Sequence, residues 1–259
     1  MKIIDTHAHL DHLDSLDEAL KRAVDAGVEG IVAVSMDLNS CRKNLEIKRK
    51  IKEPNIYLAL GMHPSEANLD ELEACVKLVQ ENKEELIAIG EIGLDFWYKW
   101  VNKDEEKKQE QRVVFKTFLE LGKELDLPVV IHSRGAWEES RKMTRELGVE
   151  RAEFHWYSGP LDVLDNILTD GYYISGTPSI AHSPQSQEAV KHACIEQTLI
   201  ETDTPVYYRG KKKGEGFQSE PKDVFRTLQA YCRLKNLEEQ EALTVLNQNA
   251  CTFFRLGDQ

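Results

Sequence analysis

Met1-Lys2-Ile3-Ile4-Asp5-Thr6-His7-Ala8-His9-Leu10-Asp11 starts as a short apolar run and ends in two histidines one residue apart. Along an extended backbone, side chains return to the same face every second residue, so His7 and His9 point the same way at a strand end. Two imidazoles side by side make half of a metal site. A polar loop start accounts for a single such pair equally well. What separates the two readings is whether ligand-type residues recur at equivalent places further along.

Short β-rich runs recur at residues 2–5, 30–34, 56–60, 86–90, 129–131, 152–154, 172–175 and 198–202. Between them lie amphipathic stretches with apolar spacings of three and four, such as Leu72-Cys75-Val76-Val79 and Val114-Phe118-Leu121-Leu125. Strands alternating with helices imply right-handed crossovers and a parallel sheet. Eight such units close an α/β TIM (β/α)8 barrel. No glycine-rich nucleotide fingerprint follows any run, which lowers the competing doubly wound open sheet. With 259 residues and no linker-like shift in composition, the expected organisation is a single domain over residues 1–259. The charged stretch 103–111 reads as a solvated loop and helix start, and 176–187 as a long loop after the seventh strand.

In such barrels chemistry sits at the carboxyl ends of the strands. Those positions hold His7 and His9, then His63, Glu91, His132, His155, and the trio Glu201-Thr202-Asp203. Each has a mundane explanation alone: a core histidine, a solvated acid, a cap before Pro205. Four histidines and two carboxylates among them, gathered on one rim, point instead to divalent metal. Imidazole suits zinc, manganese and related ions, and a carboxylate can bridge two of them. Two ions roughly 3.5–4 Å apart bind a hydroxide and stabilise both entering and leaving oxygens. Asp203 is the candidate to orient that nucleophile and accept its proton.

Composition narrows the partners. A net charge of −12 argues against a broad basic face gripping nucleic acid, so a polyanionic substrate must be held locally. The sequence shows no secretory signal and no apolar run long enough to span a bilayer. Five widely spaced cysteines without a Cys-x-x-Cys pair read as reduced, mostly buried thiols. A cytoplasmic protein without membrane attachment or an obligate protein partner is expected.

The motifs Asp5-Thr6-His7-Ala8-His9, Gly90-Glu91-Ile92-Gly93-Leu94-Asp95, Val130-Ile131-His132-Ser133-Arg134 and Glu201-Thr202-Asp203-Thr204-Pro205 resemble the TatD-type metal-dependent hydrolases, within the amidohydrolase-like barrels. The likeness runs from Asp5 to Asn249-Ala250-x-x-Phe253-Phe254. It implies a barrel with His7, His9, Glu91, His132, His155 and Asp203 as ligands of two divalent ions (zinc, magnesium or manganese), Glu91 bridging. It also implies hydrolysis of DNA phosphodiesters, often as a 3′-exonuclease. The alternative keeps the centre but cleaves an amide, ester or lactone, such as a D-aminoacyl-tRNA ester.

Several segments depart from the family pattern: His155-Trp156-Tyr157-Ser158-Gly159, Gly176-Thr177-Pro178-Ser179-Ile180 and Ser219-Glu220-Pro221. These bear on substrate choice. Substrate contacts are expected from His63 to a phosphate, from Arg134 as a phosphate clamp, and from Glu201, either orienting a ligand or water or lying buried behind one. The basic run Tyr207-Tyr208-Arg209-Gly210-Lys211-Lys212-Lys213-Gly214 follows the last ligand, and Arg209 is its expected phosphate contact. The substrate implied by the resemblance is DNA, and the acidic charge and narrow rim point to single-stranded ends that fit a pocket.

Overall fold

A computed structural model describes residues 2–209 and 216–257. Eight parallel strands follow one another around a barrel in chain order: β1 (Ile3–Ala8), β2 (Val28–Val34), β3 (Asn55–Leu60), β4 (Leu86–Asp95), β5 (Val129–Arg134), β6 (Ala152–Phe154), β7 (Tyr173–Gly176) and β8 (Thr198–Ile200). The ring shuts where β1 meets the chain leaving β8. Ala8 and Thr204 form a parallel bridge, the Asp203 amide donates to the His7 carbonyl at 3.0 Å, and the His9 amide donates to the Thr204 carbonyl at 2.7 Å. Asp5 locks this seam by accepting from the Thr202 amide at 2.9 Å and its hydroxyl at 2.6 Å.

Helices α1 (Leu16–Ala26), α2 (Leu38–Lys50), α3 (Leu69–Glu81), α4 (Glu105–Glu124), α5 (Trp137–Glu146), α6 (Leu161–Thr169), α7 (Pro184–His192), α8 (Val224–Lys235) and α9 (Glu239–Phe254) alternate with or follow the strands. Their starts are encoded locally. Asp37 and Ser40 form a reciprocal capping box on α2, and Asp104 accepts from the Lys107 amide to begin α4. None of the described helices is long and apolar enough to cross a membrane.

Alternation along the strands makes two cores. Ile31, Leu58 and Ile131 join Leu20, Leu45, Phe115 and Phe118 of the helices. Val32, Ala59, Val130 and Leu199 form the other with Phe253 and Phe254 of α9, filling the barrel interior. Two residues on, along the same strand faces, Val130 gives way to His132 and Leu199 to Glu201. The polar site therefore rests on an apolar plug, one layer up.

Several boundaries differ from the sequence expectation. β1 runs to Ala8, β4 to Asp95 and β5 to Arg134, beyond the apolar runs, while β8 stops at Ile200 rather than 202. The strands continue through polar residues because those residues pair with one another across the rim. The stretch 176–187 is not a plain loop: it holds a 3-10 turn at Pro178–Ala181 and the start of α7, capped by Thr177 and Ser183. Helix α4 does begin within the charged stretch 103–111. All five cysteines are free; Cys41, Cys75 and Cys232 are buried, Cys251 partly so, and Cys194 is exposed.

Candidate metal centre

Glu91 is the hub. Between β4 and β5 the register slips from Ile89↔Val129 to Ile92↔Ile131, three residues against two, and Gly90 and Glu91 lie in that bulge. Bulges re-aim side chains, and this one brings a fully buried carboxylate to the barrel axis. Two residues on, Gly93 has φ +148°, and a Cβ there would overlap the His132 carbonyl oxygen. Only glycine permits this approach of β4 to β5.

The two oxygens of Glu91 serve different neighbours. Oε2 lies 3.2 Å from His7 Nε2 and 3.4 Å from His9 Nε2, while Oε1 lies 2.8 Å from His155 Nε2 and 2.9 Å from His132 Nδ1. Asp203 Oδ1 faces the first pair, 3.3 Å from His9 Nε2 and 3.6 Å from His7 Nε2. Asp203 reaches there from a left-handed backbone, φ +50°. All six expected ligands thus lie in one cluster.

The far nitrogens of His132 and His155 are anchored. His132 Nε2 lies 2.9 Å from Asp95 Oδ2 and its Nδ1 lies 2.9 Å from Glu91 Oε1; burial opposes a charge on the ring, but these two carboxylates raise its pKa, and with Nε2 held by Asp95 it is Nδ1 that a cation would take. His155 Nδ1 lies 3.3 Å from Glu201 Oε1, and His7 Nδ1 lies 3.9 Å from Glu201 Oε2. Glu201 is fully buried beneath the rings and does not line the cavity. Of the two placements expected for it, the structure puts it behind the rings, beside His155 and His7 and away from the cavity wall. Asp95 carried no expected role from the sequence, yet it is the other anchor. Its Oδ2 also accepts from Arg134 Nε at 2.9 Å, and its Oδ1 accepts from the Trp97 amide at 2.9 Å.

His63 stands apart. Its Nδ1 accepts from the Ser65 amide at 3.0 Å, and burial drives its pKa down to about 3. The neutral ring therefore carries its proton on Nε2, 3.5 Å from Glu91 Oε1. A protonated nitrogen cannot ligate, so His63 is placed as a donor to an oxygen beside the centre.

Electrostatics bind the cluster together. Burial opposes ionisation of Glu91, yet His155, His63 and His7 outweigh it and hold its pKa well below the usual carboxylate range. Burial likewise opposes a charge on His155, but Glu91 and Glu201 hold its pKa well above that of a free imidazole. Asp203 stays low against burial because His9 and His7 face it. The donor set fits divalent cations. Fully buried His7 Nε2 has no hydrogen-bond partner, and a buried polar atom without one is costly. A cation between His7, His9, Asp203 and Glu91 would satisfy it.

Above the centre opens a cavity of about 670 Å³, lined by His9, His63, Trp97, Arg134, Trp156 and Asp203 among others. Arg134 lies at its wall with its side chain 43% exposed, held by Asp95 and stacked on Tyr98 with its guanidinium carbon 4.8 Å from the ring centroid. Arg209, the expected phosphate contact in the basic run, is exposed and does not line this cavity. The rest of the basic run, Gly210 to Gly214, lies outside the described residues.

A family profile described as TatD related DNase matches residues 4–255. An uncharacterized metal-dependent hydrolase of Methanocaldococcus jannaschii is 33% identical over 262 residues, covering 98% of each chain. A human protein named deoxyribonuclease TATDN3 is 28% identical over 264 residues, covering 97% of this chain and 94% of its own. Among solved structures, the TatD homolog YJJV of Escherichia coli superposes with a TM-score of 0.87 at 25% identity, covering 98% of both chains.

Proposed function

The chain belongs to the TatD-related DNase family of metal-dependent hydrolases, and from that premise we propose that it cleaves DNA phosphodiesters at a two-metal centre, trimming single-stranded 3′ ends. The observation that carries this reading is the division of Glu91: each oxygen faces its own nitrogen set. His7, His9 and Asp203 would hold one ion, His132 and His155 the other, with Glu91 between. Zinc, magnesium and manganese all suit such donors. Two divalent ions there would supply Lewis acidity and lower the pKa of a bound water toward neutrality.

The chain's own residues do the rest. Asp203, kept anionic and facing the cavity, orients the attacking water and takes its proton. His63 donates from Nε2 to a phosphate oxygen, and Arg134, its guanidinium fixed by Asp95, takes another. Arg209 draws in the strand outside the pocket. The concave, enclosed position of the centre suits a strand end better than a duplex, whose grip would need a broad basic face that a net charge of −12 does not provide.

The test gives metal-reconstituted protein single-stranded DNA labelled at either end, and aminoacyl-tRNA in parallel. Stepwise release of mononucleotides from the 3′ end is expected. Intact DNA together with cleavage of the aminoacyl ester would replace this reading with ester hydrolysis at the same centre.

A further inference from the structure

Three of the chain's four tryptophans, Trp97, Trp137 and Trp156, line the cavity above the metal centre. Neither the metal ligands nor the proton-transfer chemistry needs them. Trp156 directly follows the ligand His155 and sits at φ +42°, a left-handed backbone that a bulky residue rarely adopts. Trp97 is the most exposed. Of the large apolar side chains exposed among the described residues it alone lines this cavity, with 66% of its surface open.

Trp97 is also held in place. Its amide is tied to Asp95 Oδ1 at 2.9 Å, and the other oxygen of that carboxylate holds His132 and Arg134. Next to it, Tyr98 contacts the Arg134 guanidinium at 4.8 Å and the Trp100 ring at 4.3 Å. Gln111 of α4 fixes the start of the loop, accepting from the Asp95 amide at 2.9 Å and donating to the Pro64 carbonyl at 3.0 Å. An exposed indole beside a fixed guanidinium matches a nucleotide's two parts, a planar base and the phosphate joined to it.

We propose that Trp97 is a specificity-determining residue that stacks on the nucleobase adjoining the scissile phosphate. This inference rests on the phosphodiesterase reading. A base of any identity has a π-face, so the platform selects nucleotides over other esters without selecting sequence.

The experiment compares wild type, Trp97→Ala and Trp97→Phe, each loaded to the same metal content. The substrates are two single strands, one with normal bases and one abasic at its 3′-terminal nucleotide. Trp97→Ala is expected to lose about tenfold in kcat/KM on the normal strand, carried by KM, as loss of one base stack implies. Trp97→Phe should keep most of the activity, and on the abasic strand wild type and Trp97→Ala should be equal. Equal activity of Trp97→Ala and wild type on the normal strand, or the same loss on both strands, overturns the platform. Wild type inert on both strands overturns the phosphodiesterase reading, and the platform with it, a result distinct from an active wild type that ignores Trp97.

Discussion

Replacing Asp95 by asparagine tests whether the rim works as one unit. The side chain keeps its shape and one acceptor oxygen, but a carboxylate oxygen becomes an amide donor. Asp95 Oδ2 now accepts from His132 Nε2 at 2.9 Å and from Arg134 Nε and Nη2 at 2.9 and 2.8 Å. A donor facing these donors satisfies neither. Flipping the amide instead sets it against the Trp97 amide, now 2.9 Å from Oδ1. Either way His132 loses the partner that leaves its Nδ1 lone pair free for a cation. Outer carboxylate partners of ligating histidines are worth roughly 10- to 100-fold in metal affinity or activity, about 1.4–2.7 kcal/mol. Competition titration with a chromogenic chelator should show that loss for the more weakly held ion, with Arg134-dependent substrate binding weakened in parallel. The native carboxylate stays charged in this position, because hydrogen bonds from His132 and Arg134 outweigh the upward push of burial and hold its pKa below the usual range. Affinity within twofold of wild type for both ions would refute the anchoring role.

Asp203→Asn should abolish turnover while leaving most of the metal bound, measured by initial rates beside elemental analysis; wild-type rates would remove Asp203 from proton transfer. In metal-free protein the raised His155 adds stability that is fully present below the unfolded value of about 6.5 and lost as pH rises through its higher folded value. The depressed Glu91 adds stability present above about 4.5 and lost as pH falls through its folded value. Melting in chelator should therefore weaken on both flanks, and added divalent ion should raise Tm most on the alkaline flank, where the histidines have already shed their protons. Gly93→Ala must move β4 away from the His132 carbonyl, and a stability loss of at least about 2 kcal/mol by denaturant unfolding is expected.

The cluster is legible in the sequence because a barrel concentrates chemistry at one end of its strands, so counting eight apolar runs also marks where His7, Glu91, His132, His155 and Asp203 come together. What lay hidden was set by pairing across strands. Asp95 reaches His132 and Arg134 because the bulge at Gly90 and Glu91 brings Gly93 beside His132 and Asp95 beside Arg134, and no spacing in one strand reveals a neighbour's register. Strand ends were misjudged for a related reason. Apolar patterning stops where the site begins, but the backbone pairing of β1, β4 and β5 runs on through the polar residues. Helix α7 began inside a stretch read as loop, although Ser183 followed by Pro184 is a start signal in its own right.

The seam between β1 and the exit of β8 also has a bearing on biosynthesis. A ribosome delivers His7 and His9 long before Asp203, and the Thr202–Asp5 lock joins residues 197 positions apart, so the corner that would hold one ion is incomplete until the seam forms. Cation capture at that corner would then report closure of the seam, and the metal content of a preparation would track the fraction of molecules in which β1 and the exit of β8 have paired.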